Sequence, residues 1–171
     1  IALSSKNELY TWGLGLFGQL GLNSNKNFSS PQKVKIFRTL DENIEDIELD
    51  KTVVIVEISA GAHHSMILTS LNRIFTCGYN KYFTLGFNRS LISELSLFTL
   101  LPNFFDGKIS NICAGVFHSG YILNKDKLVL WGIGDVLIYE KPILISPSTK
   151  EKDTFVWKSI GELCIGMNFI V

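Results

Sequence analysis

The chain has no excess of charge of one sign, no paired cysteines and no long apolar run. Across 171 residues, lysine plus arginine equals aspartate plus glutamate at 16 each. A neutral chain has no global field to draw it to nucleic acid or to an anionic membrane. Its three cysteines, Cys77, Cys113 and Cys164, are odd in number and lack paired spacing. That excludes a disulfide framework, and Cys77 and Cys113, set in apolar runs, read as buried reduced thiols. The longest apolar stretch, near Leu95 to Phe105, is too short to span a bilayer and is broken by Pro102. The histidines are only His63, His64 and His118. Metal binding and acid–base chemistry need several such groups converging on one point, so neither a metal nor a cofactor is expected. Asn27-Phe28-Ser29 and Asn88-Arg89-Ser90 match the glycosylation pattern, but no signal peptide precedes them. A reduced compartment, cytoplasmic or nuclear, is the expectation.

What the chain does have is a repeat. Its apolar fraction of 46% and aromatic fraction of 12% suffice for a folded core. Ala60-Gly61-Ala62-His63-His64-Ser65 returns 54 residues later as Ala114-Gly115-Val116-Phe117-His118-Ser119. Fourteen residues after each final His, a Gly ends a short apolar run: Gly78 after Ile74 to Cys77, and Gly132 after Leu128 to Trp131. Gly13 ends a similar run 65 residues before Gly78, and the longer interval places an insertion near Arg38 to Lys51. One copy reads as strands Val53 to Ser59, Ser65 to Thr69 and Arg73 to Cys77. The turns fall at Gly61, where positive φ is cheap, and at Leu71-Asn72. Fourth strands are expected around Pro31 to Ile36 and Pro142 to Ile145, at an edge or a strand start. Short strands in a meander, repeating at about 50 residues, predict the blades of an all-β propeller. The blade fragments are expected at about 1–36, 53–104, 109–146 and 157–171, with an insertion at 38–52. An arc of about three blades leaves an apolar face at each end, so the remaining blades are expected from the same longer chain.

The detailed pattern resembles the regulator of chromosome condensation repeat family. The first copy carries Tyr10-Thr11-Trp12-Gly13, Phe17-Gly18-Gln19-Leu20-Gly21-Leu22 and Pro31. The second carries Gly61, His64 and Ser65, with Cys77-Gly78 in place of Trp-Gly and Phe83-Thr84-Leu85-Gly86 in place of Gly-Gln-Leu-Gly. The third carries Gly115, His118, Ser119 and Trp131-Gly132 without the Gly-Gln-Leu-Gly. The resemblance implies a propeller, seven-bladed in the best-known members. It does not imply one activity. The founding member is a guanine nucleotide exchange factor for the small GTPase Ran and binds chromatin, whereas other members carry the propeller beside kinase or ubiquitin-ligase domains. Fold alone does not choose among these.

The remaining motifs read mostly as scaffold. Gly13-Leu14-Gly15-Leu16-Phe17-Gly18 matches a dinucleotide fingerprint, but no helical period follows it, and the next copy has Phe83 at the third glycine. His64 and His118 recur at one place and are expected to tie strands through loop backbone, whereas His63 lies outside the pattern and is expected to be exposed. Ser65 and Ser119 follow His directly, but neighbours on a strand point to opposite faces, so no catalytic residue is expected. Trp12 and Trp131 are expected to pack between blades. The insertion is different: it holds six of the 16 acids, with Leu40, Ile44 and Ile47 at helical spacing. It reads as a solvated loop, or as a contact loop in which Asp41, Glu42, Glu45 and Asp46 meet a basic partner surface. The expected role is a protein–protein interaction scaffold or regulatory module. The alternative is exchange activity on a Ran-type GTPase.

Overall fold

Apolar side chains fill both faces of the middle strands, so every sheet must be covered on two sides. A computed structural model describes residues 1–35, 37–39, 53–88, 90–133 and 138–146. Within them lie three antiparallel sheets, each a blade of a β-propeller. The first contains β1 (Ala2–Leu3), β2 (Leu9–Gly13) and β3 (Phe28–Lys33) in that order. The second runs β5 (Ile55–Ala60), β6 (His64–Thr69), β7 (Ile74–Tyr79) and β8 (Glu94–Leu100). The third runs β9 (Ile109–Ala114), β10 (His118–Leu123), β11 (Lys127–Ile133) and β12 (Ile138–Ile145).

The sequence reading requires adjustment here. Arg38 is not the start of a loop: Phe37–Arg38 form β4, a parallel edge strand on β8 with Phe37 opposite Phe98. Phe37 is buried and packs edge-on against Phe75, with ring centroids 5.5 Å apart, which explains why the chain is held there. The second blade has a fourth strand, β8, that the sequence reading did not place. Gly61 does not take a positive φ; it is required by space, since a Cβ would lie 2.2 Å from the carbonyl oxygen of Gly115 and 2.6 Å from the His64 ring. Pro31 and Pro142 lie inside β3 and β12 rather than at their starts, but both strands are sheet edges, where a missing N–H is tolerated.

The cores lie between blades. Alternation along β6 sends Ile67 toward the first blade, with Leu9, Phe75, Cys77 and Phe98, and Met66 and Leu68 toward the third. There they meet Ile112, Tyr121, Leu123, Val129 and Trp131. At one end of the strands, asparagines clamp the seams. Asn7 and Asn72 occupy hairpin turns at φ 63° and 60°, a conformation Asn tolerates. Each spends its carboxamide on the next blade. Asn7 donates to the carbonyl of Val53 at 2.9 Å and accepts from the N–H of Ile55 at 2.9 Å. Asn72 does the same with Gly107 at 2.8 Å and Ile109 at 2.7 Å.

At the other end, each Trp-Gly-type glycine is a bulge. The ladder shifts register between Thr11 and Gly13, Thr76 and Gly78, and Leu130 and Gly132. Their φ values are 103°, 115° and 113°. A Cβ at Gly78 would lie 2.3 Å from the His63 carbonyl oxygen, whereas one at Gly13 would meet nothing within 4 Å. Gly13→Ala is therefore expected to cost about 1 kcal/mol of backbone strain, and Gly78→Ala about 2 kcal/mol, because strain and clash add. Urea unfolding of the two variants checks this; equal losses would show that the clash relaxes freely.

Candidate functional site

The repeated residues assemble an inter-blade seam. Ser119 on β10 donates its hydroxyl proton to the carbonyl oxygen of Thr84 at 2.6 Å. The Trp131 indole N–H donates to the same oxygen at 2.9 Å. One blade earlier, Ser65 donates to the carbonyl of Gln19 at 2.9 Å, and the Cys77 thiol lies 3.4 Å from that oxygen. Cys77 thus replaces Trp while keeping a donor. Both arrangements hold the carbonyl of a turn: Gly18 and Phe83 take φ 75° and 62°, and Gly21 and Gly86 donate back to them at 2.9 and 3.0 Å. The apparent nucleotide fingerprint is this turn. Gly15 and Gly18 are there for space, since their Cβ atoms would strike the Lys26 carbonyl oxygen and the Ser96 backbone, and no helix follows.

Neighbouring His and Ser point to opposite seams, as alternation requires. Ser65 reaches the first blade, and the His64 Nε2 lies 2.8 Å from Ser119 Oγ in the third. His64 thus ties blades through a side-chain hydroxyl rather than strands through loop backbone. Because Ser119 gives its only proton to Thr84, it must accept from His64, which fixes the neutral tautomer protonated on Nε2. A histidine donating to a serine does not activate it as a nucleophile. Burial lowers the His64 pKa from 6.5 to about 3, so the ring is uncharged at neutral pH. Burial also raises Cys77 well above the usual thiol value, which removes it as a reactive thiolate. Cys113 is only partly buried. Trp131 is 1% exposed, as expected of a seam residue, but Trp12 is 40% exposed.

The rim beside the bulges carries features that the sequence reading passed over. Phe17 stacks on Tyr79 with centroids 4.5 Å apart and meets His63 edge-on at 5.3 Å. Tyr82 meets Phe117 at 4.6 Å and Tyr79 at 6.4 Å. His63 is exposed, as expected, and Leu14 and Leu16 are 67% and 58% exposed. Rings from loops of three blades therefore form one continuous strip. Phe17 and Tyr82 precede Gly18 and Phe83 in equivalent turns, the one sequence signal that could have found it. Asp41, Glu42, Glu45 and Asp46, and the fragment 157–171, lie outside the described residues. The insertion leaves after Thr39 and returns at Val53, which is bonded to the Asn7 turn at the end of the strands away from this strip. No helix among the described residues is long and apolar enough to cross a membrane.

Comparison with known proteins matches this geometry. The family model of the regulator of chromosome condensation (RCC1) repeat matches residues 6–68, and a second model of that repeat matches residues 55–83. The chain is 26% identical over 143 residues to the mouse serine/threonine-protein kinase Nek9, covering 77% of this chain and 13% of the kinase. It is 30% identical over 135 residues to the human probable E3 ubiquitin-protein ligase HERC4, covering 78% and 11% of the two chains. It is 27% identical over 144 residues to the Saccharomyces cerevisiae guanine nucleotide exchange factor SRM1, covering 78% and 28%. It thus spans less than a third of the length of each. Yeast RCC1 (Prp20), solved bound to Kap60, superposes with a TM-score of 0.73 at 23% identity, over 99% of this chain and 38% of that one. Gly13, Gly18, Gly21, Gly61, Ser65 and Gly78 lie within the residues that the repeat models match, and the chain belongs to the RCC1 repeat family as an arc of about three blades of its propeller.

Proposed function

We propose that this arc is part of a protein–protein interaction scaffold or regulatory propeller module within a larger protein of the cytoplasm or nucleus. The observation that supports this reading is the aromatic rim, with Leu14 and Leu16 exposed beside Phe17, Tyr79, Tyr82 and Phe117. Contiguous apolar surface of this kind on a rigid scaffold is characteristic of protein-binding faces, where aromatic anchors dominate the energy. The remaining blades belong to the same longer chain in this reading. Asp41, Glu42, Glu45 and Asp46 form a second contact, for a basic partner surface, in this reading. No step of chemistry is assigned to the arc: the His64–Ser119 pair is sealed inside a seam.

A second reading, exchange of nucleotide on a Ran-type GTPase, is favoured by the similarity to SRM1. One experiment separates the two. A Ran-type GTPase loaded with fluorescent GDP is mixed with the full-length protein. Catalytic release supports exchange; no release, together with stable capture of partners lost in Leu16→Ser/Tyr82→Ser, supports the scaffold. Replacing the four acids by Ala is expected to weaken capture at least fivefold, and unchanged capture would remove the insertion from the interface.

A further inference from the structure

Two seams of the arc are locked in the same way, and the third blade departs from the pattern. In the first two blades, residues 14–27 and 80–93 join the last two strands. Each of these connections delivers a turn carbonyl, of Gln19 or of Thr84, to a serine of the next blade. In the third blade, residues 134–137 alone join β11 to β12. That connection is too short to carry such a turn to a neighbouring blade, so the acceptor is missing. The donor is missing from the sequence that follows. Ile55, Glu57, Ile58 and Gly61 return as Ile109, Asn111, Ile112 and Gly115, and again as Ile160, Glu162, Leu163 and Gly166. This fourth copy, outside the described residues, has Phe169-Ile170 where the others have His64-Ser65 and His118-Ser119. Isoleucine can neither donate to a carbonyl nor accept from the histidine of the blade before, the two bonds that Ser119 makes. Acceptor and donor have thus changed together, on separate segments.

The face of the third blade turned away from the second is nonetheless apolar. Ile122 and Leu130 are buried on it, with Cys113, Leu128, Ile143 and Ile145 partly covered. Gly120 stands where the second blade has Met66, whose side chain is buried in the seam toward the third. The room left by that glycine suits an isoleucine in place of a serine in the incoming copy. The chain is also long enough. Residues 101–108 carry it from β8 to β9, and residues 146–159 are available for the next passage.

We propose that residues 160–171 cover this face as the first strands of a fourth blade, and that apolar contact alone closes the seam so formed. It is then the seam at which the propeller opens before the two locked ones. Stability in repeat architectures is close to a sum of interface terms between neighbours, and local opening starts where those terms are fewest. The inference goes beyond the protein-binding reading above. It rests only on that reading's placement of the further blades in the same chain.

Two cysteines serve as reporters. Cys113 lies on the unlocked face, and Cys77, 0% exposed, lies inside a locked seam. The test is alkylation of the native full-length protein with N-ethylmaleimide, with each cysteine followed by peptide mass spectrometry. Each rate is divided by that of the same cysteine in the urea-unfolded chain. Cys113 is expected to be protected by the fourth blade yet to react about tenfold faster than Cys77, with a weaker dependence on added urea. Ile170→Ser removes apolar contact and finds no acceptor, so it should speed Cys113 about tenfold and leave Cys77 unchanged. Ile170→Val should leave both unchanged. Equal protection of Cys113 and Cys77 in the wild type, with the same urea dependence, would overturn the weak seam. A Cys113 as reactive in the native protein as in the unfolded chain would overturn the covering segment. Better protection of Cys113 in Ile170→Ser would show that the serine finds an acceptor, and would overturn the missing lock. Partner capture by the aromatic rim is a separate measurement that none of these results decides.

Discussion

Trp131→Ala is expected to destabilise the propeller by about 3–5 kcal/mol, the range for removing a fully buried large aromatic. The ring is 1% exposed, lies over the Gly86 turn and packs edge-on against Tyr121 with centroids 5.9 Å apart. Its N–H contributes less than its volume. The Thr84 carbonyl also accepts from Ser119, so losing the indole bond does not orphan that oxygen. Trp131→Phe should therefore cost about 1–2 kcal/mol. The equivalent residue in the first seam behaves differently. Cys77 is small, and the space above its turn glycine is filled by Phe98, whose ring would lie 2.3 Å from a Cβ at Gly21. Cys77→Trp, which would restore the family pattern, is expected to overpack and destabilise by about 1–3 kcal/mol. Urea unfolding measures all three, and a stabilising Cys77→Trp would refute the idea that Phe98 takes the place of the missing ring.

Acid should weaken the protein through His64. Its folded pKa, about 3, lies below the ordinary 6.5 because burial disfavours the cation. Below pH 6.5 the unfolded chain takes up a proton that the folded chain refuses. The contribution is complete above pH 6.5 and is lost progressively down to about pH 3, at about 1.4 kcal/mol per unit. At pH 4.5 the loss is about 3 kcal/mol. Glu57 acts in the opposite sense: burial raises its carboxyl, so it gains the folded state stability as pH falls. The comparison must therefore be made against His64→Gln, which keeps a donor toward Ser119 Oγ but does not titrate. Wild type should lose about 3 kcal/mol more than this variant between pH 7.5 and pH 4.5. Parallel profiles would mean that His64 is protonated in the native state.

The propeller was legible because its signals are local and periodic. A Gly that only a bulge or a tight contact demands, recurring with a His-Ser turn, marks each blade wherever it falls. The positions of β6, β7, β10 and β11 follow from short apolar runs between such turns. The same periodicity gave no information about β4, whose two residues owe their strand to a parallel pairing with β8 more than 50 residues away in sequence. Nor did it reveal the asparagine clamps, although Asn72 stood in an expected turn: a turn is a local property, and the blade its carboxamide reaches is not.

For the site, the residues were visible but their partners were not. Adjacent His64 and Ser65 suggested a pair, and strand alternation alone argued that they could not act together. Only the stacking of blades decided that His64 meets Ser119, 55 residues away, and that both donors of a seam converge on one backbone carbonyl. By itself, then, the sequence determined the repeat, the bulge glycines and the choice of a propeller, because backbone conformation and alternation act within a few residues. The tertiary structure decided which donor meets which acceptor, how Phe98 offsets a missing tryptophan and where the rings align into a rim. Those depend on the distance between blades, which no local pattern encodes.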